Sequence, residues 1–318
     1  MASAERVSIH GGVGTLVDRR HGTDPLDVDR AWLISEYERT GAIFFSGFDA
    51  SLQAFEELSA SMMTGLFTNR GAAFSFGPFK RAAVNDDATV MTATGQRQDF
   101  PLPLHGEFYY FRHPPRMIWF YCAKPAPEGG ETTIGDGRAA LDALKPATAD
   151  LVRRRGIRFE RYLADGDWQV AFQTSDRDEV LSICRENATT VTWGADGSLL
   201  SEYYCRAVVV DGQGQERLVN GVLPVALGEQ VIVSGQIAAI APEMANQRPS
   251  LVVRWDDGSP LEPSVVQDLL AATAKVEIPV PARAGDILAI DNTRVMHGRR
   301  ASTAVDRKVL VRMGAPNF

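Results

Sequence analysis

A hexapeptide near the middle of the chain places the strongest constraint on the fold. Residues 117–122 (Met-Ile-Trp-Phe-Tyr-Cys) are apolar or aromatic at every position. Because successive strand residues point to opposite faces, this pattern predicts a central strand that is covered on both sides. Residues 125–130 then form a turn rich in Pro and Gly, and residues 131–136 read as a second strand that ends in a helix cap. The chain therefore has to fold around a β-sheet.

Short strands recur along most of the chain, whereas helical periodicity is confined to a few segments. Strands are predicted at residues 41–48, 157–162, 189–193, 199–210, 276–280, 287–292 and 308–313. Helices are predicted at residues 25–40, with Gly41 as the stop, and at 51–63, 138–155, 176–186 and 262–274. Many short strands with a few outer helices predict an α+β, mostly β fold: a double-stranded β-helix, or jelly roll, with flanking helices and an inserted lid region.

The domain organisation follows from what the sequence lacks. No repeat, low-complexity tract or shift in composition marks a boundary, so residues 1–318 are predicted to form a single domain with an internal insertion at about residues 157–235. Residues 69–100 are rich in Gly, Ala, Thr and Asn with weak periodicity. We expect them to form a long loop that covers a site.

Charge and cysteine content narrow the class of partner. The net charge of −7, from 33 basic and 40 acidic residues, argues against nucleic acid and favours a small-molecule substrate. Three widely spaced cysteines indicate neither a disulfide framework nor a thiolate zinc site. No apolar run approaches the ~20 residues of a membrane span. We therefore expect a cytoplasmic protein without a membrane partner.

An imidazole and a carboxylate two residues apart form the motif that points most directly to chemistry. In a strand, His105 and Glu107 would project from the same face, and Gly106 would leave the other side open. A histidine from a distant strand would complete the 2-His-1-carboxylate triad that binds Fe(II) and leaves coordination positions free. His297, which we place at a strand end in the terminal hairpin, is the candidate third ligand.

Taken alone, a His-x-acid motif is weak evidence. Five histidines and 40 acidic residues in 318 positions give roughly 0.6 chance matches. A single histidine such as His297 is also more often a surface-loop residue than a ligand. The basic residues beyond it, Arg307, Lys308 and Arg312, add an observation, because a guanidinium deep in a barrel suits the distal carboxylate of a dicarboxylic acid. The alternative for each is a solvated strand edge.

A family resemblance extends over almost the whole chain. It begins with Pro103-Leu104-His105-Gly106-Glu107, continues with Pro114-Pro115-Arg116, and then with Pro125-Ala126-Pro127-Glu128-Gly129-Gly130-Glu131-Thr132. These segments resemble the TauD/TfdA family of iron(II)- and 2-oxoglutarate-dependent oxygenases. Other landmarks similar to those of the family lie, in order, at residues 41–48, 168–174, 203–210, 257–260, 291–299 and 307–311. The middle motifs are most similar to the syringomycin-type hydroxylases that modify amino acids for peptide natural products.

The resemblance implies roles for individual residues. His105, Glu107 and His297 would bind Fe(II), and O₂ and 2-oxoglutarate would be the cosubstrates. Thr132 would donate a hydrogen bond to the distal carboxylate of 2-oxoglutarate, and Arg307 is the matching arginine. Arg312 stands near the place where other members carry a second arginine for substrate or cosubstrate, so it is a second candidate. In a regular strand Arg307 and Arg312 would face opposite ways, and we expect only one to point into the barrel.

The function implied is hydroxylation of an unactivated C–H bond of an amino-acid-derived small molecule, free or tethered to a carrier protein, in secondary metabolism. Succinate and CO₂ would be released. The same scaffold also supports desaturation, epoxidation or another oxidative rearrangement. Halogenation is disfavoured, because Glu107 occupies the position at which a small residue would let chloride bind. From a different class, a jelly-roll binding protein or a redox-inert zinc enzyme is the alternative, since zinc accepts the same donors.

Overall fold

The computed structural model describes residues 7–8, 13–68, 81–93, 100–234, 249–304 and 306–318. The chain divides into two compact units. Unit 1 consists of Met1–Leu104, Pro115–Gly137 and Val276–Phe318, and unit 2 of His105–Pro114 and Arg138–Lys275. The insertion expected at about residues 157–235 falls within the sequence range of unit 2.

The described residues mix strands and helices, which confirms the α+β class. The helices are α1 (Arg30–Thr40), α2 (Leu52–Met62), α3 (Gly137–Asp142), α4 (Pro146–Arg154), α5 (Asp167–Phe172), α6 (Arg177–Glu186), α7 (Val222–Val233) and α8 (Pro263–Val276). The strands are β1 (Val7–Ser8), β2 (Thr15–Val17), β3 (Ala42–Phe45), β4 (Met63–Thr64), β5 (Met91–Thr92), β6 (Leu102–His105), β7 (Met117–Lys124), β8 (Thr132–Asp136), β9 (Gly156–Leu163), β10 (Thr189–Trp193), β11 (Leu199–Arg206), β12 (Val209–Val210), β13 (Glu216–Arg217), β14 (Leu251–Trp255), β15 (Ile278–Val280), β16 (Ile287–Asp291), β17 (Val295–Arg299) and β18 (Lys308–Pro316).

Unit 1 contains two sheets. The larger has eight strands in the order β1-β2-β3-β16-β7-β18-β4, with β5 paired to β18. The smaller has four, in the order β15-β8-β17-β6. Strands β15, β8 and β17 pair antiparallel, as do β16, β7 and β18, whereas β2 runs parallel to β3. The apolar strand β7 is central, as its sequence predicted, because it pairs with β16 on one side and β18 on the other.

The core of unit 1 lies between the larger sheet and the first two helices. Phe45 of β3 stacks on Trp119 of β7 with ring centroids 6.1 Å apart, and Phe55 of α2 lies 5.4 Å from the ring of Tyr121. Gly41 ends α1 with a left-handed φ of 76°, and its N–H donates to the Tyr37 carbonyl at 2.7 Å. The predicted stop at Gly41 is confirmed, and it turns the chain from the helix directly into β3.

Unit 2 is built on a four-stranded antiparallel sheet in the order β10-β11-β9-β14. Helix α7 contacts this sheet through Glu229, which accepts two hydrogen bonds of 2.7 Å from Arg254 of β14. The β12–β13 hairpin is tied by the buried ion pair of Arg217 and Asp211 at 2.5 Å. Both of these arginines are thus paired where they are withdrawn from water, as their desolvation requires.

One helix prediction needs correction, and two helices, α5 and α7, were not predicted. The single helix predicted over residues 138–155 is two helices, because Lys145 adopts an extended backbone (φ −62°, ψ 145°) before Pro146, which begins α4. Helix α7 was not predicted. Its residues are apolar on most faces and include Pro224 and Gly228, so the segment lacks the stripe by which a surface helix is detected. Within the described residues, no helix combines the length and apolarity that a membrane span needs.

Candidate metal centre

The first two candidate ligands flank a glycine that has no room for a side chain. Strand β6 ends at His105, and Glu107 lies in the turn that follows, so the expectation that both project from one strand is wrong. A Cβ on Gly106 would lie 2.6 Å from Tyr109 Cδ2 and 2.7 Å from Val219 Cγ1. The Gly106 N–H donates to the Asn220 carbonyl at 2.9 Å. Packing against residues 219–220 thus fixes the turn between the two ligands.

The third candidate ligand lies in the middle of a strand. His297 is the central residue of β17 and pairs with Ile134 of β8, so the prediction of a strand end is wrong. The following Gly298 allows the close approach of β6 on the other side of β17, because a Cβ there would lie 2.6 Å from the Leu102 carbonyl oxygen. The His297 ring packs on Phe120 with centroids 5.1 Å apart. A ligand on a paired strand is held more rigidly than one on a loop.

The three side chains converge. One ligand atom from each of His105, Glu107 and His297 lies within 4.8 Å of the others. The three residues are 9%, 4% and 5% exposed, respectively. Burying a carboxylate is costly unless a cation or hydrogen-bond donors meet it. Two imidazoles and one carboxylate are the donor set of non-haem Fe(II) sites, so these residues fit that metal, and zinc also accepts them.

A cavity of about 400 Å³ lies in unit 1. Arg307 and Thr132 both line it, and Arg307 Nη2 donates to Thr132 Oγ1 at 3.5 Å. Phe120 also lines it and contacts the His297 ring in a tilted arrangement with an interplanar angle of 51°. The wall also carries three acidic residues, Glu128, Glu131 and Asp286, and its apolar residues include Phe44, Leu288 and Val309. Within this wall Arg307 and Thr132 together offer a small anion one cationic group and one hydroxyl.

Burial shifts the pKa of two groups in this cavity. It lowers the pKa of the Arg307 guanidinium, which still remains a cation because an arginine titrates so far above neutral pH. It raises the pKa of the Cys122 thiol to about 11, so this side chain is neutral at pH 7. A carboxylate bound at Arg307 would therefore meet one desolvated cation and no thiolate.

A glycine turn supports Arg307 from one side. Gly130 has a φ of +69°, and a Cβ there would lie 2.9 Å from Arg307 Cδ. Gly129 has a φ of +66°, and a Cβ there would lie 2.3 Å from the Ala301 carbonyl oxygen. That same oxygen accepts the Gly130 N–H at 3.0 Å. The two glycines let the turn approach the arginine closely and limit where its side chain can lie.

Comparison with known families decides the assignment. The model of the family described as "Taurine catabolism dioxygenase TauD, TfdA family" matches residues 9–313. The chain belongs to this family. It is an iron(II)- and 2-oxoglutarate-dependent dioxygenase with O₂ as cosubstrate, and the resemblance noted in its sequence is confirmed.

Two curated relatives of this TauD/TfdA member come from different kingdoms. The dapdiamide synthesis protein DdaC of Enterobacter agglomerans is 26% identical over 263 residues, which cover 82% of this chain and 78% of DdaC. A clavaminate synthase-like protein of Arabidopsis thaliana is 25% identical over 297 residues, covering 87% of this chain and 83% of the relative.

Solved structures share the TauD/TfdA fold at low sequence identity. PvcB from Pseudomonas aeruginosa matches with a TM-score of 0.56 at 14% identity over 97% of this chain and 89% of PvcB. AAD-2, solved with Mn(II) and N-oxalylglycine, matches with a TM-score of 0.56 at 13% identity over 99% of this chain and 98% of AAD-2. At these identities the likeness concerns the fold alone.

In this TauD/TfdA member, Arg312 occupies a different environment from Arg307. Its Nη1 donates to the Glu56 carbonyl at 2.7 Å and to Ser59 Oγ at 3.1 Å, and its Nε donates to Thr89 Oγ1 at 3.3 Å. These partners tie β18 to helix α2 and to the segment before β5. Arg312 does not line the cavity that holds Arg307 and Thr132.

The sequence did not single out several residues around the candidate site. Phe120, Cys122 and Leu288 were expected only as strand residues, and strand periodicity does not tell which face of a doubly covered strand meets a cavity. The glycine turn was recognised as a turn and not as a support for Arg307. Of the lid predicted at residues 69–100, residues 69–80 and 94–99 lie outside the described residues.

Proposed function

We propose that His105, Glu107 and His297 bind Fe(II), and that Arg307 and Thr132 bind the distal carboxylate of 2-oxoglutarate. The observation that supports the metal assignment is the approach of the three buried ligand atoms to within 4.8 Å of one another. The cosubstrate assignment is supported by the 3.5 Å contact of Arg307 Nη2 with Thr132 Oγ1 in the cavity wall. Arg312, which is engaged elsewhere, takes a structural role in this proposal.

In this proposal, different residues perform different tasks in the reaction. Fe(II) and 2-oxoglutarate, when bound, couple decarboxylation of 2-oxoglutarate with O₂ to oxidation of a substrate C–H bond, releasing succinate and CO₂. Arg307 pairs with the distal carboxylate and so fixes the orientation of the dicarboxylic acid. Phe120 restrains the His297 ring, and apolar residues such as Leu288 and Val309 keep water from the cavity. Positioning and water exclusion are thus the protein's share of catalysis.

We propose further that the two sheets of unit 1 form the double-stranded β-helix expected from the sequence. Support comes from two antiparallel layers, the central β3-β16-β7-β18 portion of one sheet and the β15-β8-β17-β6 sheet. Their strands alternate along the chain between the layers, since β16 and β18 belong to one sheet and β15 and β17 to the other. Such alternation is the connectivity of jelly rolls.

The proposed reaction is hydroxylation of an amino-acid-derived small molecule in secondary metabolism, with the substrate free or tethered to a carrier protein. The names of similar proteins support this class: DdaC is described as a dapdiamide synthesis protein, and PvcB as an oxygenase from an isonitrile synthetic pathway. Glu107 supports hydroxylation over halogenation, since a carboxylate fills the position that chloride would need.

The experiment is a panel of free amino acids, carrier-bound aminoacyl groups, small sulfonates and aryloxy acids, read by succinate release and product mass. We expect coupled turnover, with a mass gain of one oxygen, first for an amino-acid-derived member. Turnover only with a sulfonate or aryloxy acid would contradict the natural-product assignment and leave the iron chemistry intact.

Ligand variants test the site separately. Under anaerobic conditions Fe(II) and 2-oxoglutarate should give a weak visible absorption band, lost in His105→Ala and His297→Ala and retained in the control His113→Ala, whose side chain is exposed. Glu107→Ala should abolish hydroxylation, whereas Glu179→Ala, an exposed residue of α6, should not affect it. Tight stoichiometric zinc without the band in folded wild type would favour the redox-inert alternative.

A further inference from the structure

Unit 2 carries an arginine on the inner face of its sheet. Strand β9 turns Ile157, Phe159 and Leu163 to one face, and each is at most 2% exposed. Arg161 has the same strand parity and is therefore on that face. Directly across from it lie Ser201 of β11 and Leu251 of β14. A charged side chain at this position is unusual, because burying a cation among apolar residues is costly.

Aromatic rings orient this guanidinium. Arg161 Cζ lies 5.7 Å from the centroid of the Tyr110 ring and 5.6 Å from that of Phe111. The two rings are themselves in an edge-to-face contact at 4.8 Å. Cation–π contacts of this kind hold the planar group in one orientation, and its N–H donors then point along the guanidinium plane.

The rings belong to the segment that carries two of the proposed iron ligands. Tyr110 and Phe111 follow Glu107 by three and four residues. Gly221 lies beside both parts of this segment, because a Cβ there would be 3.5 Å from Tyr110 Cδ1 and 4.0 Å from the Gly106 carbonyl oxygen. Tyr110 therefore contacts Arg161 and also lies beside Gly221, which in turn neighbours the glycine between the two ligands.

The Arg161 side chain combines partial exposure with desolvation. The residue remains partly exposed, although its neighbours on the same face of β9 are almost fully buried. Burial nevertheless lowers the pKa of its guanidinium, and the Tyr110 and Cys184 side chains act in the opposite direction. A desolvated cation that still meets solvent is suited to bind an anion, because the interaction is screened little.

We propose that Arg161 determines substrate specificity by binding the α-carboxylate of the amino-acid-derived substrate, whose apolar portion contacts Tyr110 and Phe111. This inference rests on the proposed function and narrows it. A carrier-tethered aminoacyl group has no free α-carboxylate, so Arg161 selects the free acid over the tethered form. The planar guanidinium can bind both carboxylate oxygens at once, which a lysine cannot reproduce.

The experiment compares each amino acid of the panel with its primary amide. Binding to the anaerobic protein loaded with Fe(II) and 2-oxoglutarate is measured by the shift of the thermal unfolding midpoint during titration, and KM and kcat are measured aerobically. In wild type we expect an amino acid to bind and its amide to bind about 30-fold more weakly or worse. In Arg161→Met the preference for the acid over the amide should disappear, and the effect should appear as a higher KM for the acid with little change in kcat. Arg161→Lys should keep part of the preference.

A matched control lies on the same strand. Arg158 faces the other side of the sheet and pairs with Glu202 at 3.1 Å, so Arg158→Met should keep the acid-over-amide preference. The Fe(II)–2-oxoglutarate absorption band shows whether each variant is folded and has bound Fe(II) and 2-oxoglutarate. If Arg161→Met does not bind them, the acid-over-amide preference is judged from Arg161→Lys instead.

The outcomes separate the two proposals. Absence of the band from wild type contradicts the proposed function. A wild type with the band that binds no carboxylate probe, or binds acid and amide equally, overturns the role of Arg161. An Arg161→Met variant that retains the preference also overturns it.

Discussion

At the scale of single residues, Arg307 and Arg312 show how two arginines five positions apart acquire different tasks. Arg307 lies beside Thr132 in the cavity wall, whereas Arg312 is hydrogen-bonded to the Glu56 carbonyl, Ser59 and Thr89. The pairing register of β18 with β7 shifts between Lys308 and Val309, just beyond Arg307. Arg307 precedes β18 and Arg312 lies within it, and an odd spacing of five positions places two residues on opposite faces of an extended chain.

Replacing each arginine by alanine should therefore have different effects. Arg307→Ala should weaken 2-oxoglutarate binding by about 2–5 kcal/mol, roughly 30-fold or more, because it removes the cation that we propose as the partner of the distal carboxylate. Arg312→Ala should leave that affinity near wild type and lower the free energy of unfolding by about 1–3 kcal/mol, because buried acceptors lose their donor. Titration of 2-oxoglutarate and urea unfolding measure the two effects. Loss of affinity in Arg312→Ala alone would reverse the assignment.

Sequence reasoning located the candidate ligands better than it located their backbone. His105, Glu107 and His297 were selected by residue type and spacing, and their side chains do converge. The strand setting predicted for Glu107 was wrong, because Gly106 meets Tyr109 and Val219, and Val219 lies 113 positions away in the chain. Local periodicity carries no information about such a distant contact. The contrast between Arg307 and Arg312 likewise depends on tertiary partners.

At the scale of elements, a glycine that ends a helix and a glycine inside a helix affect stability in opposite ways. Gly41 closes α1 at a φ of +76°, and a Cβ there would lie 3.0 Å from Val295 Cγ2. Gly228 lies inside α7 and is exposed, and a Cβ there would meet nothing within 4 Å. The first glycine satisfies a conformational need, and the second only weakens its helix.

Alanine at these two positions should change stability in opposite directions. Gly41→Ala should lower the free energy of unfolding by about 1–2 kcal/mol, because a left-handed residue acquires a Cβ. Gly228→Ala should raise it by about 0.5–1 kcal/mol through helix propensity. Urea unfolding of both variants beside wild type measures the difference. Equal effects of the same sign would show that the αL cap does not control the end of α1.

Element prediction succeeded where local rules agree and failed where they conflict. The first helix, its glycine stop and the apolar β7 were predicted because capping and periodicity point the same way. Helix α7 was missed, since Pro224 in its first turn and Gly228 in its interior read as breakers, although a proline is tolerated at a helix start. The break before Pro146 was overlooked for the opposite reason: residues on both sides are helix formers.

At the scale of the whole molecule, buried thiols make stability depend on alkaline pH. Burial raises the pKa of Cys122 and of Cys184 to about 11, and that of Cys205 to about 12. In the unfolded chain a thiol has its ordinary value near 9. The folded state therefore holds more protons between about pH 9 and pH 11, and stability falls as pH rises through that range.

The double variant Cys122→Ala/Cys184→Ala should lose less stability in this range. Between about pH 8 and pH 10.5, wild type should lose on the order of 1–2 kcal/mol per buried thiol beyond what the variant loses. Unfolding free energies at both pH values measure the difference, and between pH 7 and pH 8 the two proteins should respond alike. Parallel curves up to pH 10.5 would mean that ionisation of the two thiols is not linked to unfolding.

The order of strands in the larger sheet of unit 1 also bears on how the protein is made. The apolar strand β7 has β16 and β18 as its two neighbours, and both are synthesised more than 160 residues later. A nascent chain on the ribosome must therefore carry this strand with both edges open during translation of all the intervening residues, which invites aggregation and engagement by chaperones. Premature termination that removed only residues 308–318 would take away β18, an interior strand of the sheet. Strand β7 would then be an edge strand whose unpaired backbone groups are open to pairing with another chain.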